Sequence, residues 1–598
     1  MWWARTLGLS AIVAQAGQGG LTMTGDDQKK APASGLRKGL TSYGDAGFSL
    51  FLRKAFIKAA GFSDDALDRP IIGITNTFSD FNPCHGNVPR LIEAVKRGVM
   101  LAGGLPMEFP TISIHESFSN PTSMFLRNLM AMETEEMVRA QPMDAVVMIG
   151  GCDKTVPAQL MAAASADIPA IQLITGPMLV GHHKGEVLGA CTDCRRLWAQ
   201  HRAGEIDEAE IEAVSERLAP TQGTCMVMGT ASTMGCLVEA MGIALSGTGT
   251  IPATHADRIR SAEASGRQAV ALAKAGTQPT QILGKAAFHN AMVVLQAIGG
   301  STNAVVHLAA IAGRLGFDFN LEELDRLGRD VPVLIDLKPS GAHYMEHFHW
   351  AGGMPALLRE LRDHLMLDAP TVDGVTLGEV ITRAEDVPGQ SIIRTRDNPL
   401  KSGGATAVLR GNLAPDGAII KQSAASPELL RHTGRAVVFD SVEDMTNRID
   451  DPDLDVRADD ILVLRNAGPK GAPGMPEAGY LPIPRKLARQ GVKDMVRISD
   501  ARMSGTAFGT IVLHIAPEAA VGGPLGLVRD GDTISLDVET RRLDLDVAED
   551  ELARRRADFA PPPHMAGPQR GYRGLYLAEV NQAGQGCDFD FLRKDGEI

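Results

Sequence analysis

Three cysteines of this 598-residue chain lie in short segments marked by glycine or proline, the kind of loop that often carries function. They are Cys84 in NPCHG, Cys152 in GGCDK and Cys225 in GTC. Thiolates are soft ligands that suit an iron–sulfur cluster or zinc, whereas a single free cysteine is commonly a packed apolar residue. The three are about 70 residues apart, which matches no zinc finger. From these residues alone, a metal site and simple packing both remain open.

The elements that precede Cys84 and Cys152 favour a shared site. Each cysteine follows an apolar run that is typical of a buried strand, at 70–75 and 145–149, and each run is followed by helical periodicity. A further strand is predicted at 168–174. This repetition indicates a mostly parallel sheet with helices on both faces. Ligands of such sheets bind at the carboxyl ends of the strands, where both cysteines fall.

The pattern changes along the chain. Residues 205–385 have mainly helical periodicity, and beyond about residue 390 short strands alternate with Gly, Pro and Asp turns. We therefore predict an α/β fold class, with an N-terminal mostly parallel sheet flanked by helices at 41–390. A C-terminal β-rich, barrel-like domain is predicted at 391–598, and a disordered or extension tail at 1–40.

Composition excludes several classes of function. The formal charge of -13 argues against nucleic acid as a partner, and no apolar run reaches the roughly 18–20 residues that span a membrane. Seven cysteines are too few, and odd in number, for a disulfide framework, which indicates a reducing, cytoplasmic location. Residues 1–17 weakly resemble a secretory signal, but a translated extension ahead of a start at Met23 is favoured.

Five motifs in register resemble the dihydroxy-acid dehydratase and 6-phosphogluconate dehydratase family. They are CDKTVP at 152–157, GGSTNA at 299–304, RGNLAP at 410–415, GPKGAPGM at 468–475 and DARMSGT at 500–506. The resemblance runs from about residue 40 to the C-terminus. It implies an iron–sulfur hydro-lyase that dehydrates a polyhydroxy carboxylic acid.

The resemblance also implies the cofactors and their ligands. Cys84, Cys152 and Cys225 would hold a 2Fe–2S cluster, and three thiolates leave one iron with an open position for a departing hydroxyl. A Mg²⁺ ion would orient the substrate. Its implied ligands are Glu116, Asp153, Glu477 and Lys154, the last as a carbamate because an ammonium has no lone pair.

The implied base is Ser504, acting as an alkoxide; without the family it would be interpreted as a turn or cap serine. The segment 498–510 looks most like sugar-acid dehydratases of the L-arabinonate and D-xylonate type. We therefore predict that a pentonic acid is converted to its 2-keto-3-deoxy acid. The alternatives are the dihydroxy-acid dehydratase reaction of branched-chain amino-acid synthesis and a non-catalytic protein on the same fold. A homo-oligomer, dimer or tetramer, is also expected.

The remaining cysteines carry weaker signals. Cys191 and Cys194, downstream of two histidines, have the spacing of a zinc or redox pair, but the family pattern does not require them. Cys236 lies on the apolar pattern of a helix and is expected in the core, and Cys587 is expected to be exposed near the C-terminus. The order Cys84-His85 departs from the Cys-Asn-x-His order of the family, so the surroundings of Cys84 are open.

Overall fold

The computed structural model describes residues 33–40, 43–565, 567 and 569–594. The extension or signal predicted at the start of the chain lies outside these ranges. Residues 34–38, which the predicted tail includes, pack against the body of the protein: Leu36 is buried, and the Gly35 N–H donates to Asp144 Oδ2 at 2.9 Å. The boundary predicted near residue 390 stays a prediction.

The first sheet is wholly parallel. Its strands run in the order β2-β1-β3-β4, and the strands are β1 (Ile71–Asn76), β2 (Leu105–Pro110), β3 (Ala145–Gly150) and β4 (Ala170–Ile174). The helices that surround this sheet or follow it are α1 (Ala46–Ala59), α2 (Val88–Leu101), α3 (Ser123–Ala140), α4 (Thr155–Ala166), α5 (Thr192–Ala203), α6 (Glu208–Ser215), α7 (Thr230–Ala240) and α8 (Ala256–Ala275). A short antiparallel ribbon lies between α4 and α5, with strands β5 (Gly181–His183) and β6 (Glu186–Leu188).

Apolar side chains alternate across the first sheet, so that both faces are buried. Ile72 and Val147 pack with residues of α2 and α8 on one face, whereas Ile71 and Val146 pack with residues of α3 on the other. Burial on both faces explains the nearly continuous apolar runs of these strands in the sequence. The predicted N-terminal layer is confirmed.

A helical layer follows the first sheet. Its helices are α9 (Pro279–Ile282), α10 (Lys285–Ala297), α11 (Asn303–Arg314), α12 (Leu321–Asp330), α13 (Met345–Trp350), α14 (Gly353–Glu360) and α15 (Leu377–Ile381). The apolar residues of α7, α10 and α11 join the same core cluster as the first sheet. Cys236 of α7 is fully buried in that cluster, as predicted.

The second sheet closes on itself. Its order is β14-β13-β9-β10-β11-β12-β8-β7, with strands β7 (Ala407–Leu409), β8 (Gly417–Ile420), β9 (Arg431–Phe439), β10 (Ile461–Leu464), β11 (Arg497–Ser499), β12 (Ile511–Ala516), β13 (Thr533–Asp537) and β14 (Arg542–Asp546). Backbone hydrogen bonds join Arg410, which follows β7, to Arg541 and Leu543 at the other end of the order. The predicted barrel-like second sheet is therefore confirmed. Its centre, β9 to β12, is parallel, which the local pattern did not indicate.

The C-terminal segment folds back onto α3 and α11. After α16 (Val442–Arg448), α17 (Arg485–Ala488), α18 (Glu549–Ala557) and α19 (Gly571–Glu579), the chain crosses α3 and α11. Arg127 donates to the Gly586 carbonyl at 2.8 Å, and Arg314, whose side chain is 0% exposed, pairs with Asp588 at 2.6 Å. Cys587 is buried in this contact, so the expectation that it is exposed was wrong. Among the described residues, no helix is both long and apolar enough to cross a membrane.

Candidate functional site

Two of the predicted cysteines meet at the edge of the first sheet. Cys84 lies in the 3-10 turn Pro83–His85 shortly after β1, and Cys152 lies between β3 and α4. Because β1 and β3 are parallel neighbours, their carboxyl ends lie side by side. The two sulfurs and one ring nitrogen of His115 lie within 4.8 Å of one another. Both thiols are buried, and three ligand atoms so close together could hold a metal.

His85 fixes the loop that carries Cys152. Its Nε2 accepts the backbone N–H groups of Gly151 and Cys152, both at 3.0 Å, and its Nδ1 lies 2.8 Å from the Thr77 carbonyl. Burial lowers the pKa of His85 to about 4, so the ring is neutral at physiological pH. A neutral ring that accepts at Nε2 carries its proton on Nδ1 and donates to Thr77. The residue that departs from the family order therefore supports the cysteine loop.

The third predicted cysteine has a different neighbour. Cys225 Sγ lies 3.6 Å from Cys191 Sγ, and Cys191 also hydrogen bonds with Cys194. Cys191 is the residue that immediately precedes α5, and Cys194 lies in the first turn of that helix. Every cysteine among the described residues is a free thiol. Five sulfurs therefore lie in two groups, one of two and one of three.

Asp153 connects the two groups of thiols. It interacts electrostatically with both Cys84 and Cys225, and its Oδ1 lies 3.6 Å from Cys152 Sγ. A hydrogen bond with Cys152, together with burial, raises the pKa of Cys84, and a hydrogen bond with Cys191, together with burial, raises that of Cys225. A bound positive centre favours the thiolate form, and thiolates are the ligands of soft metals and iron–sulfur clusters, so the donor set fits either one.

The predicted acidic residues form a second group beside the first. Glu116, Asp153 and Glu477 place carboxylate oxygens within 4.8 Å of one another, and we call these residues the acid trio. Glu116 opens the 3-10 turn Glu116–Phe118, and Glu477 opens the turn Glu477–Gly479 between β10 and β11. The trio thus combines a residue from each half of the chain with Asp153, next to the thiol of Cys152. Oxygen ligands at this spacing suit a hard cation such as Mg²⁺.

Two cationic side chains contact the acid trio. Lys154, whose side chain is 0% exposed, lies with its Nζ 2.6 Å from Asp153 and 3.5 Å from Glu116. Arg502, 1% exposed, donates to Glu477 at 2.5 Å and to Glu116 at 3.0 Å. Three carboxylates and two cations leave one net negative charge. The predicted Lys154 is therefore in place, and a carbamate on its Nζ would add oxygens to the trio.

The two ends of the trio have different electrostatic surroundings. Burial opposes ionisation of Glu116, but Arg502 and Lys154 hold the pKa of Glu116 well below its usual range. Burial raises the pKa of Glu477. The Asn303 side-chain amide donates to Glu477 at 3.3 Å, while its own buried Oδ1 has no hydrogen-bond partner among the described residues. An unpartnered acceptor beside carboxylates is what a polar ligand pocket leaves before its ligand binds.

Ser504 lies in a turn that follows β11 and is held from several sides. Its Oγ lies 2.9 Å from Thr506 Oγ1. A Cβ on the next residue, Gly505, would lie 2.5 Å from the Cβ of Ser301, so only glycine permits this approach to the segment 299–304. Thr192 of α5 donates its hydroxyl to the Thr506 carbonyl at 2.9 Å. The turn that carries Ser504 is thus held against α5, which bears Cys194, and against the motif at 299–304.

Lys421 lies behind the same turn. Its Nζ donates to the Gly505 carbonyl at 3.1 Å, and the side chain is buried. No acidic side chain within the described ranges forms an ion pair with it, and burial lowers the pKa of Lys421 to about 7. A buried lysine one residue from the predicted base therefore braces that residue through the backbone.

The structure brings all eight predicted site residues into one neighbourhood, linked by the contacts above, and adds residues that sequence reasoning missed. Arg502 stands inside the motif at 500–506, which gave it no role. His115 stands next to a predicted ligand, and that adjacency was the available signal. Lys421 had no local signal, because it is the pairing of β8 with β12, a strand distant in sequence, that brings it near the turn at 504–506.

Comparison with known proteins matches nearly the whole chain. The N-terminal profile of the dihydroxy-acid/6-phosphogluconate dehydratases matches residues 69–380, and the C-terminal profile matches residues 391–587. The L-arabonate dehydratase of Azospirillum brasilense is 50% identical over 91% of this chain and 94% of its own length. The 6-deoxy-6-sulfo-D-gluconate dehydratase of Pseudomonas putida is 47% identical over 89% of this chain and 92% of its own. A dihydroxy-acid dehydratase of Caldanaerobacter subterraneus is 40% identical over 90% and 96%.

Proposed function

Since the chain belongs to the dihydroxy-acid/6-phosphogluconate dehydratase family, and is therefore a hydro-lyase, we propose that its substrate is an aldonic acid, with a pentonic acid preferred. The identity to sugar-acid dehydratases, 47–50% against 40% for a dihydroxy-acid dehydratase, is the observation that carries this choice. The product is the corresponding 2-keto-3-deoxy acid. The cofactors and the catalytic residues are part of the same proposal.

The thiols and the acid trio would hold different cofactors. Cys84, Cys152 and Cys225 would bind a 2Fe–2S cluster, and the trio with a carbamylated Lys154 would bind Mg²⁺. A cluster held by three thiolates would have one iron with an open position, which would serve as a Lewis acid for the departing C3 hydroxyl, and Mg²⁺ would supply one for the substrate's carboxylate and C2 hydroxyl. Cys152, a proposed cluster ligand, and Asp153, a proposed Mg²⁺ ligand, are neighbours in the chain, which supports this division. The cluster and Mg²⁺ would then lie close enough to act on the leaving hydroxyl and the C2 end of one small molecule.

The side chains of the chain itself would move one proton and hold the substrate. Ser504 takes the C2 proton as the C3–O bond breaks, which leaves an enol that tautomerises to the 2-keto acid. A serine is a weak base, so its alkoxide form requires nearby positive charge. Arg502 lies two residues before Ser504, and the Lys421 Nζ donates to the carbonyl of the next residue, Gly505; both would supply such charge when protonated. Thr192 and Ser301 keep the turn in place.

A substrate panel tests the proposed activity. Anaerobically purified protein would be assayed with L-arabinonate, D-xylonate, a hexonate and 2,3-dihydroxyisovalerate, with the 2-keto product measured directly. We expect kcat/KM for a pentonate to exceed that for 2,3-dihydroxyisovalerate by about 10²-fold or more, because a site built to hydrogen bond hydroxyls discriminates against an apolar chain. A preference for 2,3-dihydroxyisovalerate would instead assign the branched-chain biosynthetic reaction. Absence of turnover with every acid would support a non-catalytic role.

Two further expectations belong with this proposal. We propose assembly into a dimer or tetramer, which light scattering of the purified protein would measure. A monomer at the concentration of the activity assay would overturn it. The cytoplasmic location also stays a prediction, and fractionation of the producing cells would test it.

A further inference from the structure

The proposed function leaves Cys191 without a role, although it lies beside a proposed cluster ligand. Cys191 Sγ is 3.6 Å from Cys225 Sγ, and both are free thiols. A disulfide would require about 2.05 Å between the sulfurs. Two thiolates bound to one tetrahedral metal at about 2.3 Å lie about 3.7 Å apart. The observed separation allows a hydrogen bond between the two thiols and is also close to that of a pair that shares one metal ion.

Four of the five cysteines at the site thus form two pairs. Cys84 and Cys152 are one pair, with sulfurs inside a 4.8 Å group, and Cys191 and Cys225 are the other. A 2Fe–2S cluster with four protein thiolates takes two on each iron. The three family-like cysteines alone would leave the iron at Cys225 with one thiolate. Cys191 stands where the second thiolate of that iron would stand.

We propose that Cys191 is a displaceable fourth ligand, which binds the iron held by Cys225 in the resting enzyme and leaves it when substrate arrives. The inference rests on the proposed function, since it requires the cluster. In the exchange the Cys191 sulfur–iron bond would break, the substrate hydroxyl would take its place with its proton retained, and Cys191 would leave as a thiolate that accepts a hydrogen bond from Cys194. No electron is transferred.

The surroundings of Cys191 suit such an exchange. Cys194 lies one helical turn away and hydrogen bonds with Cys191. The Cys191 sulfur would keep this hydrogen-bond partner after it leaves the iron. Thr192 ties the same helix start to the turn of Ser504 through the Thr506 carbonyl. Movement of Cys191 is therefore coupled to the position of the proposed base. While Cys191 is bound, the iron has no open position for oxygen or water.

Mössbauer spectra of the anaerobic ⁵⁷Fe holoenzyme test the ligand directly. With four thiolates both ferric ions have all-sulfur coordination, so the resting wild type should show one quadrupole doublet. Cys191→Ala should show two doublets of equal area, and the matched control Cys194→Ala should show one. Circular dichroism and the thermal midpoint of each variant would establish that it folds. A wild-type spectrum with two doublets that Cys191→Ala does not change would overturn the proposal.

Kinetics, bleaching in air and the state of the two thiols separate this proposal from the proposed function. Cys191→Ala should lower KM about fivefold without lowering kcat, because substrate no longer competes with a bound thiolate, and its visible absorption should bleach several-fold faster in air. Alkylation and mass spectrometry of anaerobic protein should find Cys191 and Cys225 unlinked; a disulfide between them would refute the ligand role. If wild type and Cys191→Ala both contain iron and sulfide and give identical spectra, the proposed role of Cys191 is refuted while the proposed function stands. Absence of a cluster from both would sink the proposed function with it.

Discussion

Replacing Arg502 by methionine tests whether the acid trio is built to receive a cation. The guanidinium neutralises Glu116 and Glu477, whose oxygens lie within 4.8 Å of each other, and it is almost fully buried. Two carboxylates at that distance repel by about 3.5 kcal/mol at an effective dielectric constant of about 20. Breaking a buried ion pair by removing one partner destabilises a protein by about 3–5 kcal/mol. For a chain of this length that corresponds to a fall of about 2–4 °C in the thermal midpoint.

Magnesium should reverse much of this loss. Arg502→Met removes one positive charge beside the trio, so Mg²⁺ should bind the variant more tightly. At about 100 times its dissociation constant a ligand stabilises the folded state by about 2.7 kcal/mol. The assay is a thermal melt in EDTA and in excess MgCl₂, and we expect Mg²⁺ to restore at least about half of the fall.

Arg497→Met is a matched control, because Arg497 lies on β11, the strand that precedes Arg502. Arg497 is also buried and pairs with Asp494 at 2.6 Å, and its partner is outside the trio. Arg497→Met should lose comparable stability and show no more response to Mg²⁺ than the wild type. The reasoning fails if Arg502→Met melts like the wild type in EDTA, or if Mg²⁺ stabilises both variants equally.

Three other substitutions probe the base, its support and the core. Ser504→Ala should lower kcat by about 10²–10⁴-fold with iron content and thermal midpoint unchanged; activity within tenfold of wild type would contradict the assigned base. Lys421→Met should keep the thermal midpoint, since a buried ammonium is removed, yet lower kcat about tenfold by releasing the Gly505 carbonyl, and an unchanged kcat would argue against that support. Burial raises the pKa of Glu239 to about 7, so the native state holds an extra proton between pH 4.5 and 7 and stability falls by up to about 3 kcal/mol across that range. Glu239→Gln should flatten that fall in pH-dependent melts, and an identical pH profile would contradict it.

The sequence predicted the meeting of Cys84 and Cys152 for a physical reason. Both follow buried strands, and parallel neighbouring strands end at one edge of a sheet. The position of Cys225 next to Cys191 had no such basis. It depends on the backbone hydrogen bond from Thr224 to Gly176, a contact across the fold that local periodicity does not encode.

The second sheet shows the same limit. Apolar residues alternate at 534–547, a pattern that is typical of a hairpin, and β13 and β14 form one because alternate side chains there face the core and solvent. The parallel order of β9 to β12 depends on crossovers between distant strands, which a short apolar run cannot indicate. Cys587 was expected to be exposed for a similar reason: only the return of the C-terminal segment onto α3 buries it.

The returning segment, residues 586–588, joins α3 to α11. Arg314 is fully buried, and a chain cut before Asp588 would leave its guanidinium in the interior without that carboxylate. Glu135, 3.3 Å away, would be the remaining acidic partner of Arg314, and the loss of one partner from a buried ion pair destabilises a protein by about 3–5 kcal/mol. A chain cut before Asp588 would therefore be less stable around α11, although it would contain every proposed ligand and the proposed base. The contacts of residues 586–588 thus link the stability of α3 and α11 to the segment that follows α19.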